Sequence, residues 1–378
     1  MNPHIRRQSG MFAIAAVLAS TVLLAGCTEE RAPAQSAGTV AVAAAAPSPE
    51  DAALLEQARA MFEPLPEHPS ATADQTGLAK VALGKSLYFD PRLSKGHSVS
   101  CNSCHNVASY GVDNLPTSPG HRAQLGARNS PTSFNAALHA RQFWDGRAAD
   151  LVEQAKGPIL NPVEMALPEE AVAVSTIDSI PGYRQAFAEV FAGQPAPVNY
   201  HNIAEAIAAY EETLVTPAPF DAYLRGNVAS LTAAQKAGLN TFIQTGCVAC
   251  HGGKALGGQG FFKFGLADGP YWKYTHSKSP DAGRFDVSGD PADKYVFKSP
   301  SLRNVAMTQP YFHDGSVWSL DQAITVMGHT QLGRALSAQQ VTEIRAFLES
   351  LTGTLPAEAM ALPQLPPSGA ETRRPDPA

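Results

Sequence analysis

Charged side chains are scarce in this chain. Asp, Glu, Lys and Arg make up 16% of its 378 residues, against 44% for hydrophobic residues. That balance excludes an intrinsically disordered protein, which stays unfolded through high charge and little apolar surface. A basic surplus is also missing, because 28 Lys and Arg face 34 Asp and Glu, for a formal net charge of -6. The electrostatic footprint of a nucleic-acid binder is therefore absent, and a charged partner is expected to be basic. No apolar run makes a good membrane span: the stretch 11–24 is too short and wrongly flanked. Cysteine is rare too, with five in all.

Four of those five cysteines stand in two copies of one motif, Cys101-Asn102-Ser103-Cys104-His105 and Cys247-Val248-Ala249-Cys250-His251. Cys-x-x-Cys-His is the attachment pattern of a c-type haem. Its two thiols add across the haem vinyl groups, and the His that follows directly becomes the proximal iron ligand. A redox pair or half a zinc site has no need of a His in that place. Two copies in one chain predict two covalently bound c-type haems.

The fifth cysteine has a separate explanation. Arg6 and Arg7 precede the apolar stretch, which ends in Leu24-Ala25-Gly26-Cys27, the cleavage box of a lipoprotein signal peptide. Cys27 would carry the lipid and residues 1–26 would be removed, which takes away two arginines and no acid. The expected location is the periplasm, with a membrane tether through the lipid. The Ala-, Pro- and Ser-rich residues 27–50 read as a flexible tether.

Helical periodicity repeats around the two motifs. Helices are predicted over 52–62, with Leu54, Leu55, Ala58, Met61 and Phe62 on one face, and over 76–89, leading to the first motif. A closing helix is predicted over 199–214. The plan then recurs: Thr232 and Gln235 form a capping box for a helix ending at Gly246, and Ser337 and Gln340 cap a helix that Gly353 stops. Between them, Ser319 and Gln322 open a helix ending at Met327, with Gly328 as its stop. The fold class is mainly α: two tandem cytochrome c-like domains, each with one covalently bound haem and long loops between helices. The N-terminal haem domain is assigned to 51–225, the C-terminal one to 226–355, and 356–378 is a Pro-rich tail expected to fray.

The sixth iron position decides between electron transfer and chemistry on a small molecule. Apart from His4 in the signal peptide and the two proximal residues, His121, His139, His201, His276, His313 and His329 are candidate distal ligands, and His68 and His97 are weaker ones. Met307 and Met327 are the candidates after the second motif.

Several gapped motifs carry a resemblance. They are Leu115-Pro-Thr-Ser-Pro-Gly-His121, Ala127-Arg-Asn-Ser-Pro-Thr132, Phe143-Trp-Asp-Gly-Arg-Ala148, Asn161-Pro-Val-Glu-Met165, Pro300-Ser-Leu-Arg-Asn-Val305 and Pro310-Tyr-Phe-His-Asp-Gly315. From about residue 75 to 353 the chain resembles the bacterial di-haem cytochrome c peroxidases. The resemblance implies reduction of hydrogen peroxide to water by electrons from a small periplasmic donor, such as a cytochrome c or a cupredoxin; a quinol is a further possible source. It implies a low-potential peroxidatic haem on Cys101, Cys104 and His105, with His121 as a removable second ligand. A high-potential haem on Cys247, Cys250 and His251 would have Met327 as its second ligand. Glu164 matches the acid–base carboxylate, Gln154 and Phe143 would line its pocket, and Trp144 would lie between the haems. Calcium is implied between the domains, on Asn129, Thr308 and Pro310, and a homodimer is the family's common state. Two other functions remain as alternatives. One is a di-haem electron carrier without peroxidase activity. The other comprises related enzymes that mature a protein-derived cofactor, whose known members place Tyr where Met327 stands.

Overall fold

The computed structural model describes residues 48–67, 74–278 and 280–378. The signal peptide, Cys27, most of the tether and His68 lie outside the described residues. Helices dominate, and local sequence sets their ends. Ser48 accepts the Asp51 amide to open α1 (Pro49–Met61), and Asp74 accepts that of Gly77 to open α2 (Gln75–Phe89). Such oxygens satisfy amides that have no partner inside the helix. One turn, α3 (Cys101–Cys104), carries the first haem motif. After a long loop come α4 (Leu151–Leu160), α5 (Glu170–Asp178), α6 (Pro181–Val190) and α7 (Tyr200–Glu211).

The second half opens with α8 (Pro219–Leu224) and α9 (Ala233–Thr245). The capping box of Thr232 and Gln235 forms as predicted, and α9 ends at Gly246 in the left-handed region. The short turns α10 (Trp272–Thr275) and α11 (Phe285–Ser288) lie between two antiparallel strands, β1 (Phe261–Lys263) and β2 (Val296–Lys298), with Phe262 opposite Phe297. The chain closes with α12 (Leu320–Leu332), α13 (Ala338–Glu349) and the turn α14 (Ala357–Met360).

Two main cores organise these elements. In the first, α2 crosses α7 and α4 lies beside α7, burying Leu83, Leu87 and Tyr88 with Ile203, Ile207 and Tyr210. In the second, α9 crosses α13, burying Leu239 and Phe242 with Ile344 and Phe347. Both crossings depend on a glycine. A Cβ on Gly84 of α2 would lie 1.7 Å from the Ala206 carbonyl oxygen, and one on Gly238 of α9 would lie 1.9 Å from that of Glu343. Only a residue without a side chain lets the backbones approach that closely.

The first described helix and the C-terminal tail cross the boundaries drawn from sequence. α1 contributes Leu55 and Ala58 to the second core, where Phe62 packs edge-on against Phe220 at 5.4 Å. The tail, expected to fray, lies along the first half. Ala359 joins the first core, the Asp376 amide donates to the Lys95 carbonyl at 2.9 Å, and Arg373 donates to the carbonyls of Ser94 and Lys95. Proline-rich composition rules out a helix but not an extended segment that borrows partners from a neighbouring surface. Two glycine stops are also corrected. α12 runs past Gly328 to Gly333, because Gly328 sits under the chain at Arg334 and Leu336. α13 ends before Gly353, which instead allows close passage over the Thr216 carbonyl.

Candidate haem sites

The two Cys-x-x-Cys-His motifs are alike in local structure. Each occupies a single tight turn, and the ring of each following His is oriented by a backbone carbonyl. His105 Nδ1 lies 2.9 Å from the Pro131 oxygen, and His251 Nδ1 lies 3.2 Å from that of Leu256. A carbonyl can only accept, so Nδ1 carries the hydrogen and Nε2 presents its lone pair. Burial holds both imidazoles below their ordinary pKa and therefore neutral, as an iron ligand must be. Cys101, Cys104, Cys247 and Cys250 form no disulfide, which leaves them for haem attachment.

In the first half the structure joins His121 to Glu164. The His121 amide donates to the carbonyls of Glu164, at 2.7 Å, and Val163, at 3.0 Å. Gly120 makes this approach possible, since a Cβ there would meet the Val163 oxygen at 2.1 Å. His121 is buried, and the two residues after it, Arg122 and Ala123, both have left-handed backbones. Glu164 Oε1 accepts from Asn161 Nδ2 at 2.7 Å, just past the end of α4. Burial raises the Glu164 pKa, opposed by the Arg147 charge and the Asn161 hydrogen bond. The Arg147 guanidinium stacks 3.5 Å from the Phe143 ring, which also faces Gly157 of α4. Gln154 lies half-buried on α4.

In the second half a cavity of about 340 Å³ is lined by Cys247, Cys250, His251 and Met327, among many apolar residues. Two thiols, a neutral imidazole and a thioether around an apolar cavity fit a covalently attached haem with mixed axial ligands. Met327 projects from the middle of α12, whereas Met307 is 41% exposed. Trp144 lines this cavity, and its indole nitrogen donates to the Asn129 carbonyl at 2.9 Å.

Asn129, Thr308 and Pro310 line the same cavity, where the chain's two halves meet. Asn129 Nδ2 donates to the Leu115 carbonyl at 2.9 Å, which leaves Oδ1 for another partner. Among the described residues, the carbonyls of Thr308 and Pro310 accept no hydrogen bond. Free oxygens of this kind fit a hard cation such as calcium.

The remaining described histidines have other settings. His201 is exposed beside Glu205, His276 is exposed at the end of α10, and His97 is half-buried. His329 stacks on Tyr274, and His313 is buried against Phe297 with Nε2 3.2 Å from the Tyr271 hydroxyl. His139 contacts Lys298. Arg147 and Asn161, which set the surroundings of Glu164, were not singled out from sequence, although both stand inside the motifs quoted for their neighbours.

Two helical halves, each built around a haem-attachment turn, define a di-haem c-type cytochrome. A family model described as di-haem cytochrome c peroxidase matches residues 78–229. The chain is 49% identical to the cytochrome c551 peroxidase of Pseudomonas aeruginosa over 89% of its length and 97% of the relative's. It is 46% identical to the Nitrosomonas europaea protein of the same name, over 83% and 91%. A solved MauG-like protein associated with microbial copper homeostasis superposes with a TM-score of 0.69 at 27% identity, covering 79% of this chain and 97% of that one. The chain belongs to the bacterial di-haem cytochrome c peroxidase family. It is an oxidoreductase that carries two c-type haems.

Proposed function

We propose that the protein reduces hydrogen peroxide to two waters with two electrons from a small periplasmic redox protein. Cys101, Cys104 and His105 would hold the peroxidatic haem, and Cys247, Cys250, His251 and Met327 the haem that receives electrons. When bound, the haem irons supply the redox chemistry, H2O2 + 2e⁻ + 2H⁺ giving 2H2O. The observation that carries this reading is the backbone junction of His121 with Glu164. It sets a displaceable imidazole and a carboxylate with a raised pKa on neighbouring loops of one half. Glu164 accepts the proton of the incoming peroxide and returns it to the departing oxygen, so that water leaves rather than hydroxide. A pKa raised by burial suits a carboxylate that must both take and return a proton. Phe143 and Gln154 shape the pocket, and Arg147 over the Phe143 ring limits how far the Glu164 pKa rises.

Trp144 connects the halves, since its carbonyl accepts the Lys298 amide at 2.8 Å and its indole is fixed by Asn129. Asn129, Thr308 and Pro310 would bind calcium and so couple the state of the second half to the His121 loop. Cys27 would tether the protein in the periplasm as a lipoprotein, and the acidic chain suits a basic donor; a homodimer is the expected assembly. The test is a titration of the holoprotein with calcium present: reduce only the high-potential haem with ascorbate, record the spin state of the other, then add one equivalent of peroxide. A high-spin N-terminal haem followed by rapid reoxidation supports the reading. Two haems that stay six-coordinate and ignore peroxide would leave an electron carrier.

A further inference from the structure

Three polar side chains in the wall of the C-terminal haem cavity have no use in the mechanism above. Lys298 is 6% exposed, and its ammonium lies 2.9 Å from His139 Nδ1. Among the described residues it forms no ion pair. His139 Nε2 and Ser299 Oγ are buried without any partner. All three residues line the cavity that holds Cys247, Cys250 and His251.

The chemistry of the three groups has one sign. An ammonium only donates, so His139 Nδ1 accepts from it and the ring hydrogen sits on Nε2. Nε2–H, the remaining ammonium hydrogens and the Ser299 hydroxyl are then donors lacking an acceptor, around a buried positive charge. Leaving a buried ammonium and hydroxyl unpaired in an apolar wall is costly, and an anion in the cavity offers both of them an acceptor, while His139 Nδ1 holds the ammonium in place.

The backbone places this cluster beside the proximal ligand. Gly258 donates to the Ser299 carbonyl at 2.8 Å and accepts from the Ala140 amide at 2.9 Å. A Cβ on Gly257 would lie 3.3 Å from His251 Nδ1, and one on Gly258 would lie 2.4 Å from His139 Cδ2. The two glycines therefore run between His251 and the cluster. At β2, the Lys298 amide is tied to the Trp144 carbonyl.

We propose that Lys298 and Ser299 form a carboxylate site in this cavity wall, with His139 Nδ1 fixing the Lys298 ammonium, and that its ligand is a propionate of the haem held by His251. The inference rests on the haem assignment above. Lys298 then acts as a positioning residue: it neutralises the propionate next to Trp144 and raises the tendency of that haem to take an electron.

The test measures the potentials of both haems by spectroelectrochemistry in the holoprotein and in Lys298→Met, Lys298→Arg and Ser299→Ala. Removing the cation favours the ferric form. Lys298→Met is therefore expected to weaken reduction of the C-terminal haem at least tenfold, about 59 mV for one electron, and to leave the other haem unchanged. Lys298→Arg should restore most of the loss, and Ser299→Ala should give a smaller shift in the same direction. An unchanged potential in Lys298→Met, or equal shifts of both haems, overturns the proposal. If that variant fails to assemble, the wild-type ascorbate-reduced haem supplies the answer by resonance Raman. Its propionate bending mode should move on exchange into D2O and ignore added phosphate. A mode indifferent to D2O overturns the proposal, and a potential that follows phosphate concentration assigns the cluster to a free anion instead. Should the haem on His251 prove to be the low-potential one, the assignment of roles fails separately, because each haem is read individually.

Discussion

The two halves repeat one plan on the proximal side and diverge on the distal side. Each has an opening helix, a haem-attachment turn, a proximal His oriented through Nδ1, and a closing helix crossed at a glycine. His121, however, sits on a loop whose next two residues are left-handed, at φ 58° and 57°, and which is held by the carbonyls of Val163 and Glu164. Non-glycine residues in that region store on the order of 1–3 kcal/mol each. Met327 sits within a 13-residue helix. On the proposed assignment of His121 and Met327 as iron ligands, the first sits on a strained loop that is easily withdrawn and the second on a packed helix that is not. That difference would suit one centre that opens and another that keeps its coordination while it passes electrons.

The sharpest way to break this contrast is to change the fixed ligand. In Met327→His the potential of the C-terminal haem should drop by a sizeable part of the roughly 0.8 V range that axial ligands command. Ascorbate should then no longer reduce it, as followed in the visible spectrum. On the other side, Glu164→Gln should cut peroxide turnover by about 10²- to 10⁴-fold with both haem spectra intact, as measured by steady-state kinetics. Wild-type activity should fall with decreasing pH at a value above the ordinary glutamate range, since burial raises this pKa and the ionised form accepts the first proton. The variant should lose that limb.

A second asymmetry is Glu211, at the end of α7, which is buried with Oε2 unpartnered and whose pKa burial raises to about 8. The folded state keeps this proton where the unfolded chain releases it near 4.3. Stability is therefore lost as pH rises between those values, by about 1.4 kcal/mol per unit. Urea unfolding of Glu211→Gln as a function of pH should show that slope removed. The shared glycines test the common plan: Gly84→Ala and Gly238→Ala should each cost about 1–3 kcal/mol through overpacking. Similar losses by thermal unfolding would support equivalent crossings, and a neutral Gly84→Ala would break the parallel.

The two haem-attachment turns were legible because their chemistry needs fixed residue types at fixed spacing. Cys-x-x-Cys-His, the capping boxes at Thr232 and Ser337, and the apolar faces of α2, α7, α9 and α13 all arise from contacts within a few residues, which sequence order encodes directly. Assigning roles to His121, Glu164 and Trp144 needed whole gapped motifs, because a lone His, Glu or Trp carries no mark of its surroundings.

What the sequence determined alone was therefore local: two haem-attachment turns, the helices around them, and a mainly α tandem. Tertiary structure decided what depends on distant partners. It put α1 in the second core and the C-terminal tail against the first half, and it carried α12 past Gly328. It also brought Lys298 to His139 across 159 positions of chain. The physical reason is that hydrogen-bond satisfaction and close packing in the interior are set by what lies across the fold, and neither is encoded in the order of neighbouring residues.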